Sequence, residues 1–120
     1  ESRTFGVLHQ QGLLELVDQP RELGHGVQII PAPGESPGHQ IMRFHSEGQT
    51  LYCLGDLYHL IAEVEHPTWV LRWTNGESNQ RSRQALNEQA LSENALLIAT
   101  HIAPIGRIQR TATGYTWATV

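Results

Sequence analysis

Three side chains in this sequence of 120 residues, His39, Asp56 and His101, could together bind a metal ion. Imidazole nitrogen and carboxylate oxygen suit a first-row cation such as zinc, iron or manganese, and a carboxylate can bridge two cations. Each residue alone has an ordinary explanation, as a surface histidine, a turn or helix-capping aspartate, or a histidine that merely ends a strand. Their placement joins them. His39 closes the rigid loop "PAPGESPGHQ", which holds three prolines and two glycines. Asp56 follows "TLYCL" after one glycine, and His101 follows "LLIAT" directly. All three lie beyond apolar segments that read as strands, and ligands in sheet-based α/β proteins gather beyond the carboxyl ends of strands. Such ends are stiff enough to hold a coordination geometry. The glycine before Asp56 lets the backbone come close to the site.

The surrounding elements are read from periodicity and turn residues. "FGVLHQQGLLELV" predicts a hairpin turning at Gln10, Gln11 and Gly12. "VQII" is a short strand that runs into the proline loop. "QIMRFHS" reads as a half-buried strand with Met42 and Phe44 on one face and Ile41 and Arg43 on the other. The stretch 57–73 has no decisive period, and "WVLRW" fits a strand or a helical turn. "NGESN" offers N-caps for a helix over residues 79–93, with Leu86 and Ala90 on one face and Asn94 as a left-handed residue beyond its end. "ALLIAT" and "GYTWATV" read as strands and "APIGRI" as a loop. No linker or repeat divides the chain, so residues 1–120 read as one α/β (α+β) domain, or a piece of a larger one. The expected architecture is a mostly antiparallel or mixed sheet with a flanking helix.

Composition narrows the function classes. Hydrophobic content of 39% and charged content of 17% suit a folded chain. A net charge of −4 argues against nucleic acid as a partner. Lysine is absent, which excludes a Walker-type phosphate loop and Schiff-base chemistry. One cysteine, Cys53, cannot form an internal disulfide and fits a reducing compartment, so the cytoplasm is expected. No apolar run approaches the roughly 20 residues that span a bilayer, and no signal-peptide pattern occurs. The first residue is not methionine, as in a processed chain or a piece of a longer protein.

"PGESPGHQ", then "LYCLGDLYH", then "LLIATHIAPIGRI" together resemble the C-terminal half of metallo-β-lactamase superfamily hydrolases, nearest to their lactonase and organophosphate-hydrolase branch. The resemblance runs from about Val27 to Trp117. It implies the second half of an αββα sandwich, with His39 as the third histidine of one metal subsite, Asp56 as the carboxylate bridging two metals, and His101 as a ligand of the second metal. Glu35 stands where the family often has a non-ligand histidine. The family's His-x-His-x-Asp-His motif is absent here and belongs to the N-terminal half. The implied activity is metal-dependent hydrolysis of an ester, lactone, thioester or phosphotriester, once the chain is joined to that half.

The implied cofactor is two zinc ions, with iron or manganese as alternatives, or no metal when this chain is alone. Implied partners are the N-terminal half or a second copy in a homodimer, plus a small-molecule substrate; no membrane partner is expected. The chain alone is expected to be inactive, and the alternative is a non-catalytic module that binds a partner. Asp56 would orient the attacking water, and Tyr58 would donate a hydrogen bond to a substrate oxygen. His59 would line the pocket or support a ligand from behind, although a surface or core role is the commoner fate of such a residue. Cys53 reads as a small buried hydrophobe. Trp69, Trp73 and Trp117 read as core or as surface covered by the other half. His9, His25, His45 and His66 follow no ligand spacing.

Overall fold

The structure, a computed structural model, describes residues 3–120. Helix α1 (Arg3–Gln10) is followed by strands β1 (Arg21–Gly24), β2 (Val27–Pro31), β3 (Gln40–Ser46) and β4 (Gln49–Cys53). Then come helices α2 (Ala62–Glu65) and α3 (Gly76–Ser92), and strands β5 (Leu96–Ala99), β6 (Ile102–Arg110) and β7 (Tyr115–Thr119). The strands form one seven-stranded sheet in sequence order. Every neighbouring pair is antiparallel except β4 and β5, which are parallel and are connected through α2 and α3. This is the mixed sheet with a flanking helix that the sequence predicts.

Helix α3 begins three residues earlier than its sequence pattern suggests, because Asn75 is the cap: its side-chain oxygen accepts from the Ser78 amide at 3.0 Å. It ends as expected. Asn94 has φ +49°, and the Ala95 amide donates back to the Ala90 carbonyl at 2.9 Å. Asn79, Arg83, Leu86, Asn87 and Ala90 form its buried face. That face covers Ile41, Tyr52 and Leu97 of the sheet in one core, which Ile108 and Trp117 extend. The opposite face of the sheet is apolar too. Val27, Phe44, Leu51 and Leu96 form one cross-strand row and Ile29, Met42, Cys53 and Ile98 a second, and all eight remain only half-buried.

Two sequence expectations fail. The expected hairpin over residues 5–17 is helix α1 followed by irregular chain. Gly12 (φ +68°) ends that helix, with its own amide on the His9 carbonyl and the Leu13 amide on the Leu8 carbonyl. A left-handed glycine serves a hairpin turn and a helix C-terminus equally well. The expected loop "APIGRI" lies inside β6. Pro104 sits where the β5–β6 register is irregular, which spares it a ladder hydrogen bond. Gly106 is needed because the Trp117 indole occupies the space of a Cβ.

A half-buried polar clamp ties α3 to the sheet. Arg43 contacts both Glu93 carboxylate oxygens at 3.1–3.2 Å, and the Tyr52 hydroxyl donates to Glu93 Oε2 at 3.0 Å. Burial, with the carboxylate beside it, pushes the Tyr52 hydroxyl up to about 12. Burial alone would raise the Glu93 carboxyl, but the bonds from Arg43, Gln89 and Tyr52 outweigh it and hold the group below its ordinary value. The clamp therefore contributes fully above the unfolded carboxyl pKa of about 4.3 and is lost as pH falls through the lower folded value. Glu93→Gln should flatten the acid limb of the stability curve, measured by urea unfolding across that range; an acid limb as steep as wild type would contradict it.

Candidate metal centre

The proline loop is pinned before it reaches His39. Its Ala32 amide donates to the His39 carbonyl at 2.9 Å, Ser82 of α3 donates to the Pro33 carbonyl at 2.7 Å, and the Asn75 amide donates to the Gly34 carbonyl at 2.8 Å. Backbone of Asn79 fills the space a Cβ on Gly34 would need. The His39 ring is held at both nitrogens: Nδ1 lies 3.0 Å from the Ala32 carbonyl, and Nε2 lies 3.1 Å from the Asp56 amide. A backbone amide can only donate, so Nε2 is the acceptor and Nδ1 carries the proton given to Ala32. That tautomer aims the Nε2 lone pair at the start of the Asp56 loop, where it accepts the Asp56 N–H. Gly55 (φ +55°) makes the approach possible, since a Cβ there would lie 2.9 Å from His39 Nε2.

Asp56 and His101 meet because β4 and β5 run parallel and end together. The Asp56 Oδ1 to His101 Nε2 distance is 3.4 Å, and both side chains are partly exposed. A tetrahedral shell with bonds of about 2.0–2.1 Å separates neighbouring ligand atoms by about 3.3 Å. This pair therefore fits a cation with no rearrangement of the backbone. His59 is the third member of the group: its ring stacks on His101 with centroids 4.7 Å apart, and ligand atoms of Asp56, His59 and His101 all lie within 4.8 Å of one another. His39 stands behind this trio and touches it through the Asp56 amide.

Tyr58 does not reach the site. It is fully buried on the core side, its hydroxyl donates to Asn87 Oδ1 at 2.9 Å, and burial drives its pKa far upward. The expected substrate donor is thus a core residue, because Tyr58 and His59 point to opposite sides of the loop and only the latter meets Asp56. Cys53 is half-buried rather than buried, and burial raises its thiol pKa. Trp117 packs in the core, whereas Trp69 and Trp73 are exposed.

The loop that carries His59 is fixed by a buried ion pair that sequence reasoning does not reveal. Glu63 Oε2 accepts from the His59 amide at 2.7 Å and the Leu60 amide at 3.3 Å, and receives Arg83 Nη2 at 3.1 Å. Arg83 also donates to the carbonyls of Leu57 at 2.9 Å and Trp69 at 2.7 Å, so one guanidinium ties both ends of the loop to α3. The available signal was an arginine on the same helical face as Leu86 and Ala90. Beside the two histidines opens a shallow apolar cleft of about 450 Å³, walled by Leu60, Ile61, Ile102, Ala103 and Pro104. A cleft of about 410 Å³ between the sheet and α3 has none of the ligand residues in its walls, and its polar groups Arg43, Tyr52 and Glu93 already bind one another.

No protein-family model and no curated protein matches the sequence. Solved structures do. AidC, a dizinc quorum-quenching lactonase in complex with a product, superposes with a TM-score of 0.79 at 23% identity, over 92% of this chain and 39% of that one. The hydrolase AbOPH of the β-lactamase superfamily gives 0.76 at 16% identity, over 97% and 41%. A probable metal-dependent hydrolase from Staphylococcus aureus gives 0.73 at 17% identity, over 92% and 41%. The chain shares its fold with the matched part of each of these three proteins. The chain spans about two-fifths of the length of each of these proteins. Among the described residues, no helix is long and apolar enough to cross a membrane.

Glu63→Gln should leave Arg83 buried without its counter-charge and cost about 3–5 kcal/mol of stability, read by denaturant unfolding. Amide exchange should accelerate at His59 and Leu60 before it does in α3. Unchanged exchange at those two amides would show that the pair does not hold the loop.

Proposed function

We propose that this chain is the C-terminal half of a metal-dependent hydrolase, with lactones and related esters as its substrate class. The observation that carries the proposal is the convergence of Asp56 and His101 to 3.4 Å at the ends of two parallel strands, with the His39 ring directly behind them on the Asp56 amide. The solved relatives named as lactonases and metal-dependent hydrolases support the reaction class, and the dizinc centre of AidC supports a pair of zinc ions. Divalent cations, when bound, lower the pKa of a water and polarise the scissile carbonyl.

The chain's own residues then have distinct roles. Asp56 supplies the carboxylate that bridges and orients. His101 would supply a nitrogen ligand, and His39 would supply another once its Nε2 exchanged the Asp56 amide for the cation, its ring orientation set by the Ala32 carbonyl. The apolar cleft beside His59 and His101 suits the hydrocarbon part of a small ester or lactone and sheds water from it.

The remaining ligands would come from an N-terminal half seated on the open face of the sheet, where the two rows from Val27 to Leu96 and from Ile29 to Ile98 are only half-buried. Contiguous, incompletely covered apolar rows of this kind mark an interaction site. The chain alone is therefore inactive and self-associates through the same face.

The test is a lactone and ester panel applied to the metal-loaded protein that includes the sequence encoded upstream of Glu1. Activity is expected there, and Asp56→Asn should reduce kcat/KM by more than the roughly 100-fold that outer partners of metal ligands cost. An inert protein, or an Asp56→Asn variant as active as wild type, would overturn the reading.

A further inference from the structure

We infer that His59 is a third metal ligand contributed by this chain, so that Asp56, His59 and His101 hold a divalent first-row cation without any other segment. The inference deepens the proposal above and rests on it only in taking Asp56 and His101 as ligands. Its basis is a set of independent observations on one side chain. The ligand atoms of the three residues lie within 4.8 Å of one another, and the Asp56–His101 edge of that triangle already measures 3.4 Å. A two-nitrogen, one-oxygen donor set with an open side is the pattern of a cation that keeps positions for water or substrate.

The position of His59 is built rather than incidental. Its amide and that of Leu60 are bound by the buried Glu63 carboxylate, which is held in turn by the buried Arg83. The residues just before it, Leu57 and Tyr58, are fully buried, so the backbone at His59 has little freedom to move. The side chain is therefore the adjustable part, and its ligand atom lies within 4.8 Å of those of Asp56 and His101.

One ring nitrogen also lacks an explanation. His59 Nδ1 is buried and has no hydrogen-bond partner among the described residues. Buried polar groups in folded proteins are nearly always satisfied, by protein, water or ion. The His39 ring, by contrast, has both nitrogens engaged and cannot bind without releasing the Asp56 amide. For this chain by itself, His59 is the more available nitrogen donor. A packing role alone would account for the stacked rings but not for the orphaned nitrogen or for the convergence with a carboxylate.

The experiment titrates the 120-residue chain with Zn²⁺ against a chromophoric chelator and with Co²⁺ by visible absorption and proton NMR. Wild type should bind one Co²⁺ with hyperfine-shifted N–H signals from two imidazoles. His59→Asn and His59→Ala, checked for folding by far-ultraviolet circular dichroism, should each weaken Zn²⁺ binding at least about 10-fold and lose one shifted signal. The exposed His45→Ala should change neither. If the His59 variants match wild type while Asp56→Asn and His101→Ala lose the metal, the role of His59 is overturned and the hydrolase reading stands. If wild type binds no metal, the self-contained site is likewise overturned, while the reading that needs a second half survives. If metal binds but Asp56→Asn and His101→Ala retain it, both fail.

Discussion

The parallel pairing of β4 with β5 is the constraint on which the site depends. In an otherwise antiparallel sheet, successive strands end at opposite edges, and residues that follow them are kept apart. Here two neighbouring strands run the same way, and their ladder continues past their formal ends: the Leu54 amide bonds the Ile98 carbonyl at 2.8 Å and the Thr100 amide bonds the Gly55 carbonyl at 3.0 Å. The last of these bonds lies one residue before Asp56 and one before His101. The separation of Asp56 and His101 is thus set by backbone hydrogen bonding, which is far stiffer than side-chain packing. A parallel pair requires a long connection, and that connection contains α2, α3 and the loop bearing His59.

The connection is held down by charge. Arg83 and Glu63 are almost fully buried, and a buried ion pair seldom adds net stability over a well-packed apolar pair. Its use here is geometric. Glu63 takes two amides that no helix or strand satisfies, and Arg83 takes two carbonyls from either end of the loop. An apolar pair in the same place would leave those four groups without partners. The cost of burying charge therefore secures a loop whose outward ring, His59, faces Asp56 and His101.

The convergence of Asp56 and His101 was legible in the sequence, because strand ends and the residues that follow them are local features. The apolar runs before Asp56 and His101 and the stiff loop before His39 each announce themselves within a few residues. Helix α3 was legible for the same reason, through Asn75, Asn94 and the Leu86–Ala90 face. What was not legible depends on distant partners. Gly12 and Gly106 look like turn residues; one closes a helix and the other makes room for Trp117, a residue on the next strand. Tyr58 and His59 are adjacent and both suited to a site, and only the burial of Leu57 and Tyr58 against the α3 core decides which of them turns outward. Arg83 and Glu63 are ordinary charged residues until the fold places them together.

The two faces of the sheet differ: one is sealed by α3, and the other is apolar yet half-buried, while Asp56 and His101 lie beyond the ends of β4 and β5. The central claim is that this pair binds a metal. Anomalous diffraction at the zinc absorption edge, from crystals of the chain grown with zinc, tests it most directly. An anomalous peak bonded to Asp56 and His101 is expected. A peak only at other histidines such as His45 or His66, with the space between Asp56 and His101 empty, would contradict metal binding by this chain itself.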